Sequence, residues 1–431
     1  MFNVRRAATA LLLSMEKSGG FANLVLSDAR LAEAGEDAPL LTALFYGTVE
    51  RTLTLDYAIS HFAARPAESL APHTRAVLRL GLYQIYFTRI PPHAAINETV
   101  SLGENKGERA LLNAVLRRAA TQPPPLPPEG RTARHLSVKE SFPLPTVRRF
   151  LSQYGEEETR ALLSAFNRVS PLTVTVNPRV ATREELLADF AAAGFSAEPT
   201  RYCARSIRFL ESVDPVRLPR FAEGAFFVQD EASALVADAL GAREGDNVID
   251  VCAAPGGKIL GVATALCGNG TFTAFDLHES KLSLIRESAA RLGVSLSVRA
   301  LDATEGDASL DGTADALLCD VPCSGLGVLG KKPDLRYRAY DPTLSSLGAR
   351  ILARSTRYLR VGGVMIYSTC TLAPEENEDV VKNFLNANQQ FTLEEFTLGD
   401  GALKSEEGML TMLPHKHGTD GFFLAKLRRH A

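Results

Sequence analysis

Two cysteines stand where apolar strands run out. Cys323 closes the run Asp315-Ala-Leu-Leu-Cys-Asp-Val-Pro-Cys, directly before Ser324 and Gly325, and Cys370 closes Gly363-Val-Met-Ile-Tyr-Ser-Thr-Cys. In both places a buried-strand pattern gives way to small or turn-forming residues, which is where a parallel α/β sheet presents its chemistry. A thiol at such a mouth attacks an electrophilic ring carbon once something lowers its pKa. Two thiols suit two proton-moving or bond-making tasks on one substrate.

A third stretch, Val248-Ile-Asp-Val-Cys-Ala-Ala-Pro-Gly-Gly-Lys258, reads as a strand, a glycine-containing turn and the start of a helix near Lys258. Glycines let the backbone approach a ligand closely, and a helix N-terminus favours anionic groups. The turn is neither Gly-x-Gly-x-x-Gly nor a phosphate loop, so a nicotinamide or nucleoside-triphosphate site is less natural here. Asp276, 26 residues beyond Asp250, ends the next strand, where a carboxylate accepts from ribose hydroxyls. Asp302 is read as ending a third strand, placed to receive an adenine amino group, and Asp320 ends a fourth. Each alone is as well explained by a cap or a turn; three at successive strand ends point to a ligand. The candidate cofactor set is Cys252, Ala253, Ala254, Pro255, Gly256, Gly257, Lys258, Asp276, Asp302 and Asp320.

These groups need a sheet to hold them. From Gly224 onward, strand candidates at 248–251, 270–276, 296–300, 314–319 and 364–368 alternate with helical stretches, which predicts a doubly wound, mostly parallel α/β sheet. Residues 408–414 and 421–427 read as a terminal hairpin. Residues 132–225 read as a small α+β domain, with a helix at Arg160–Asn167, strands at Leu172–Asn177 and Ser206–Leu210, and a helix at Thr182–Ala193. That last helix has a Thr-x-x-Glu start and Gly194 at its close. Residues 1–120 repeat apolar positions at helical spacing over 5–15, 37–49, 53–62, 73–87, 94–103 and 109–120, with Asp37 as a cap and Pro39 in a first turn. The proline-rich Pro123-Pro-Pro-Leu-Pro-Pro128 cannot continue a helix and reads as a semi-rigid linker. The expected division is 1–125 all-helical, 132–225 α+β and 226–431 the sheet domain.

The chain has 431 residues, 45% apolar and 23% charged, enough for two or three packed domains. No apolar stretch reaches the roughly 18 residues of a membrane span, and the basic, apolar start is read as an amphipathic helix. A cytoplasmic protein is expected, its six cysteines reduced thiols. Cys319 and Cys323 have no nearby His or Cys to complete a metal shell, so no metal is expected. The net charge of −3 is uneven: residues 131–225 carry 14 Lys+Arg against 11 Asp+Glu, 13 of the 14 being Arg, and residues 226–431 carry 20 against 27. Arg favours bidentate phosphate contacts, but a solvated face explains the excess equally well.

The stretches Asp250-Val-Cys-Ala-Ala-Pro-Gly-Gly-Lys, Asp320-Val-Pro-Cys-Ser-Gly and Tyr367-Ser-Thr-Cys-Thr, followed by Glu375-Glu-Asn-Glu378, resemble the RNA cytosine-5 methyltransferases of the Sun/RsmB (Fmu) family. The likeness runs from about residue 135 to the end, closing in Thr419-Asp-Gly-Phe-Phe, with Ile259 departing from the Thr that commonly follows the Lys. Phe45-Tyr-Gly-Thr-Val-Glu-Arg, Leu78-Arg-Leu-Gly-Leu-Tyr-Gln, Ala95-Ile-Asn-Glu and Leu112-Asn-Ala-Val-Leu-Arg resemble the NusB antiterminator domain. The resemblance implies a Rossmann-like class I methyltransferase domain binding S-adenosylmethionine, with small-subunit (16S) ribosomal RNA, naked or in early assembly, as partner and a monomer as the working form. It implies Cys370 as the nucleophile on carbon 6 of cytosine and Cys323 as the residue that assists release. Asp320 would face the N3/N4 edge of the base, with Lys258 close by. Residue chemistry alone leaves open which cysteine attacks, since DNA cytosine methyltransferases use the Pro-Cys thiol. A non-catalytic RNA-binding factor, or action on another RNA, is the alternative; intact Cys323, Cys370 and Asp320 count against the first.

Other residues carry blander readings. Cys203, Cys267 and Cys319 are taken as buried small hydrophobes, and Cys252 as a backbone contact. His415 and His417 read as exposed loop residues. Arg117 and Arg118 suit RNA phosphates or a helix-end charge pair equally. Gln229-Asp-Glu231 reads as a helix cap with a supporting contact to methionine or substrate.

Overall fold

Apolar residues repeating at three and four positions fold into the expected succession of helices over the first 120 residues. The structure, a computed structural model, describes residues 2–18, 26, 28–168 and 170–431. The helices are Val4–Ser18, Asp28–Ala34, Ala38–Glu50, Thr52–Ala63, Pro72–Phe87, Pro92–Val100 and Lys106–Ala119. Leu44, Phe45, Leu55, Ile59, Leu78 and Leu116 meet in one core from which water is excluded; each such side chain contributes about 1.5–3 kcal/mol on burial. Asp37 does not cap. Gly35–Asp37 forms a 3-10 turn that runs straight into Ala38–Glu50, so Asp37 already has helical backbone and makes no side-chain cap bond. Pro39 does occupy the first turn.

The chain folds into two compact units, Met1–Arg168 with Leu329–Ala339, and Val169–Val328 with Tyr340–Ala431. Residues 132–168, read from the sequence with the α+β domain, therefore group with the helices. They form Thr132–Glu140 and Leu144–Phe166, the latter interrupted at Gly155 (φ +78°). The returning segment Leu329–Ala339 brings Arg336 into the helical unit, only 1% exposed. A buried guanidinium needs acceptors. It donates to the Leu329 and Phe166 carbonyls at 3.0 Å each and to Asn167 Oδ1 at 2.7 Å, and it lies 4.3 Å from the Phe142 ring centre.

The second unit holds the sheets. Strands β1 (Thr173–Val176), β2 (Ala197–Pro199), β3 (Ser206–Phe209) and β4 (Phe226–Val228) form an antiparallel sheet in the order β2-β3-β1-β4. The helix Arg183–Ala192 beside it starts with the expected reciprocal cap: Thr182 Oγ1 accepts from Glu185 N–H, and Glu185 accepts from Thr182 N–H. The larger sheet contains β5 (Asn247–Asp250), β6 (Thr271–Asp276), β7 (Ser297–Ala300), β8 (Ala314–Asp320), β9 (Leu359–Thr369), β10 (Phe391–Leu393), β13 (Met409–Met412) and β14 (Phe422–Arg429). A separate ribbon pairs β11 (Thr397–Leu398) with β12 (Leu403–Lys404). The large sheet runs β10-β14-β9-β8-β5-β6-β7, with β13 on β14. From β9 through β7 every pairing is parallel, and β14 joins β9, β10 and β13 antiparallel.

Alternation along the strands assigns the two faces. Val248, Leu318 and Ile366 pack with Leu235, Leu260 and Ile285, from the helices Glu231–Leu240, Gly257–Ala265 and Glu279–Leu292. Ile249, Leu317 and Met365 pack with Leu352 and Val381, from Thr343–Ser355 and Glu378–Ala387. Helices on both faces make the sheet doubly wound, as the alternation predicted. Among the described residues no helix is long and apolar enough to cross a membrane.

Candidate active site

Strand order reverses between β5 and β8: β6 and β7 extend to one side, β8 and β9 to the other. A crevice opens at the C-terminal ends of strands at such a point. Asp250 ends β5 and Asp320 ends β8, each closing an apolar run that is buried on two faces.

The turn after β5 carries a cis peptide at Ala254–Pro255 and Gly256 at φ +107°. At Gly256 a side chain is disfavoured twice: by the backbone angle, and because a Cβ would lie 3.2 Å from Leu260 Cδ1 and 3.3 Å from Ile285 Cγ2. The helix Gly257–Ala265 begins immediately, and Gln229 steadies its start by donating from Nε2 to the Gly257 carbonyl at 3.0 Å. Asp230 caps the helix Glu231–Leu240 through Ala232 N–H, and Glu231 accepts from Cys203 N–H at 2.9 Å. Asp276 accepts from Ala254 N–H and His278 N–H, tying the end of β6 to the turn.

Lys258 Nζ reaches across to Asp320 Oδ2 at 2.6 Å, and Ser368 Oγ donates to Asp320 Oδ1 at 2.7 Å from the register position beside it on β9. The sulfurs of Cys323 and Cys370 lie 3.3 Å apart. Burial works against the Lys258 charge, but Asp320 and the negative charge available at Cys370 and Asp250 outweigh it and hold its pKa above the ordinary value. The hydrogen bond that Cys323 donates to Cys370, then burial, push the Cys323 thiol well up. Asp250, 1% exposed, is raised to about 7 by burial first and by the Asp320 charge second. The result is a cysteine pair able to share one proton, with a cation alongside.

The structure thus brings Asp250, Lys258, Asp320, Cys323 and Cys370 together, and it places Cys252 to Gly257 and Asp276 on the adjoining turn and strand end. Asp302 differs from expectation. The third strand ends at Ala300, and Asp302 lies two residues on, its Oδ1 accepting from Thr304 N–H at 2.8 Å and Oγ1 at 2.7 Å. These bonds hold its carboxyl below the usual value. Cys252 donates its N–H to Asp250 Oδ1, and burial pushes its thiol well up, in keeping with a backbone role. Cys203 and Cys319 are buried, but Cys267 is exposed at the end of Gly257–Ala265, with φ +52°. His415 and His417 sit half-buried on a helical turn, Pro414–His417, where Leu413 N–H donates to His417 Nδ1. Arg118 donates to the Phe62 carbonyl at 2.8 Å, while Arg117 donates to Asn113 Oδ1. His73, Glu104 and Glu108 cluster in the helical unit, but Glu108 accepts from Thr74 Oγ1 and Glu104 N–H and pairs with His73.

Ser368 and Gly421 lie in stretches that carry the resemblance, but the sequence assigned no role to them or to Gly327. A Cβ on Gly327 would fall 2.0 Å from the Gly421 carbonyl oxygen, so both glycines let the loops beside the cysteines touch backbone to backbone. Two buried oxygens at the turn, Gln229 Oε1 and Asp250 Oδ2, have no hydrogen-bond partner among the described residues. Unmet acceptors beside an N-terminal helix turn fit a ligand that brings both a cation and an anion, such as the amino-acid end of a nucleoside–amino acid cofactor.

Three family models match along the chain: the NusB family over residues 3–121, the ferredoxin-like domain of RsmF/B-like methyltransferases over 142–216, and 16S rRNA methyltransferase RsmB/F over 237–428. The chain is 32% identical over 443 residues to the probable ribosomal RNA small subunit methyltransferase B of Bacillus subtilis, covering 99% of each chain. It is 34% identical over 433 residues to ribosomal RNA small subunit methyltransferase B of Pseudomonas putida, covering 99% of this chain and 98% of that one. The chain belongs to the RsmB/F family of rRNA methyltransferases. A methyltransferase homologue from Pyrococcus horikoshii superposes with a TM-score of 0.59 at 26% identity, covering 69% of this chain and 99% of that one. The protein PH0851 superposes over 99% of this chain and 98% of its own with a TM-score of 0.82 at 24% identity, a likeness of fold. The NusB-like and Rossmann-like parts are those expected from the resemblance, and the ferredoxin-like match falls within the stretch read as a small α+β domain.

Proposed function

We propose that the protein transfers a methyl group from S-adenosylmethionine to carbon 5 of a cytidine in small-subunit ribosomal RNA, through a transient bond between Cys370 and carbon 6. The observation that carries this reading is the 3.3 Å approach of the Cys323 and Cys370 sulfurs beside the Lys258–Asp320 ion pair. The curated relatives, named for methylation of the small-subunit rRNA, support the substrate class. When bound, S-adenosylmethionine supplies an electrophilic methyl group on a sulfonium. The turn from Cys252 to Lys258 would hold its amino-acid end, Asp276 its ribose and Asp302 its adenine.

Carbon 5 of cytosine is a poor nucleophile, so Cys370 must first load electrons into the ring. Lys258 favours the Cys370 thiolate electrostatically, and Cys323 donates to it. The thiolate adds to carbon 6, and charge moves toward N3, where the Lys258 ammonium and Asp320 meet the N3/N4 edge. Once carbon 5 carries the methyl group, its proton must leave and the carbon–sulfur bond must break. At that stage Cys370 is no longer an anion. The two influences of Cys370 on the Cys323 thiol, hydrogen bond and charge, disappear; Cys323 passes its own proton to water, its thiolate takes the carbon 5 proton directly or through water, and the electrons of that bond re-form the 5,6 double bond as Cys370 departs as thiolate.

The test is a pair of variants assayed on ribosomal RNA. Cys370→Ser is expected to abolish transfer while calorimetry shows cofactor binding retained, and Cys323→Ser to leave a covalent protein–RNA species that survives a denaturing gel. Full activity in Cys370→Ser, with no adduct in Cys323→Ser, would reverse the roles. Bisulfite sequencing of ribosomal RNA from a strain lacking the protein is expected to reveal one newly convertible cytosine.

A further inference from the structure

A single turn grips both cysteine loops. Pro374–Glu376 is a 3-10 turn leading through Asn377 into the helix Glu378–Ala387, and Glu376 and Asn377 are 2% and 1% exposed. Asn377 holds the two neighbours of Cys370: its Oδ1 accepts from Thr369 Oγ1 at 2.6 Å, and its Nδ2 donates to the Thr371 carbonyl at 3.0 Å. Glu376 holds the neighbour of Cys323: its Oε2 accepts from Ser324 N–H at 2.8 Å. Its carbonyl accepts from Tyr367 Oη at 2.7 Å, anchoring the turn to β9. The loops are also cross-linked directly, through the Ser324 and Thr371 hydroxyls at 2.7 Å and from Gly327 N–H to the Cys370 carbonyl at 2.9 Å. A carboxylate is a costly group to bury unless its bonds do something. Here the bond through Oε2 falls on the residue after Cys323.

We propose that Glu376 and Asn377 are positioning residues that set the distance between the two thiols, Glu376 from the Cys323 side and Asn377 from the Cys370 side. Neither touches the reacting atoms. Their consequence for catalysis rests on the covalent reading above, in which the sulfur at 323 must reach the adduct on 370 to complete release; their effect on thiol spacing does not.

The experiment therefore reads spacing and chemistry separately. With full-length protein and glutathione disulfide as oxidant, the Cys323–Cys370 thiol pair loses two protons and two electrons to give one protein disulfide and two glutathione thiols. Glu376→Ala and Asn377→Ala are expected to slow this by about tenfold, since thiols held in place react as if far more concentrated. Glu376→Gln keeps an acceptor for Ser324 N–H and is expected within about twofold of the parent. On RNA, Glu376→Ala is expected to accumulate covalent adduct and Asn377→Ala to form less of it, with S-adenosylmethionine affinity by calorimetry unchanged in both. Parental disulfide rates in both alanine variants, or equal losses in Glu376→Gln and Glu376→Ala, would overturn the inference. Should Glu376→Ala fail to fold, Glu376→Asp keeps the charge but shortens the reach to Ser324 N–H and is expected to slow disulfide formation in the same direction; no slowing there overturns it. If no adduct forms even with Cys323→Ser, the covalent reading fails while the disulfide rates still decide the positioning roles.

Discussion

Asp250 is a carboxylate buried to 1% exposure. Burial in the first place, and Asp320 in the second, hold its folded pKa at about 7, against roughly 3.9 for an unfolded aspartate. The folded protein then binds the extra proton across that interval. The contribution of Asp250 to stability therefore falls as pH rises from about 4 to about 7 and levels off above it, the reverse of a salt-bridged carboxylate. Asp250→Asn removes the titrating group, so its melting temperature relative to the parent's is expected to rise with pH over that window when melts are run in a buffer series; a constant difference would assign the titration elsewhere. At this scale much was legible. Asp250, Asp320, Cys323 and Cys370 announced themselves because β5, β8 and β9 have apolar interiors, and a polar residue there marks an exit. The strand candidate at 296–300 stops at Ala300, as β7 does, so Asp302 lies two residues beyond the strand rather than at its end.

The loops that join the strands carry their own constraints. Gly327 N–H donates to Cys370 and its carbonyl accepts from Gly421 N–H, both at 2.9 Å, at a place with no room for a side chain. Gly327→Ala must force these loops apart and is expected to cost on the order of 2 kcal/mol or more by chemical denaturation, with loss of transfer. Thr182→Ala removes only the cap of Arg183–Ala192 and is expected to cost about 1 kcal/mol with transfer intact. That cap was legible because both partners lie within four residues. Glu376 and Asn377 were not assigned roles, because their partners lie in loops that only the folded sheet brings together. The arginine excess also changes meaning in the fold: Arg183, Arg205, Arg208, Arg217 and Arg220 all pair with carboxylates, so composition overstated the bare positive surface of this region.

Over the whole molecule, the proline-rich stretch suggested a clean cut between helices and sheet, yet Leu329–Ala339 belongs with the helices. No periodicity could announce this, since the fit depends on Arg336 finding the Phe166 carbonyl and Asn167. Arg336→Ala leaves these acceptors unmet at about 1–3 kcal/mol each, and is expected to lower the melting temperature of the intact protein, read by calorimetry. The arrangement also bears on birth order. A ribosome adding roughly 5–20 residues per second finishes position 168 and then takes on the order of 10–30 s to reach the eleven amino acids that complete the earlier half. Until then the amino-terminal helices lack the segment whose Arg336 meets the Phe166 carbonyl and Asn167.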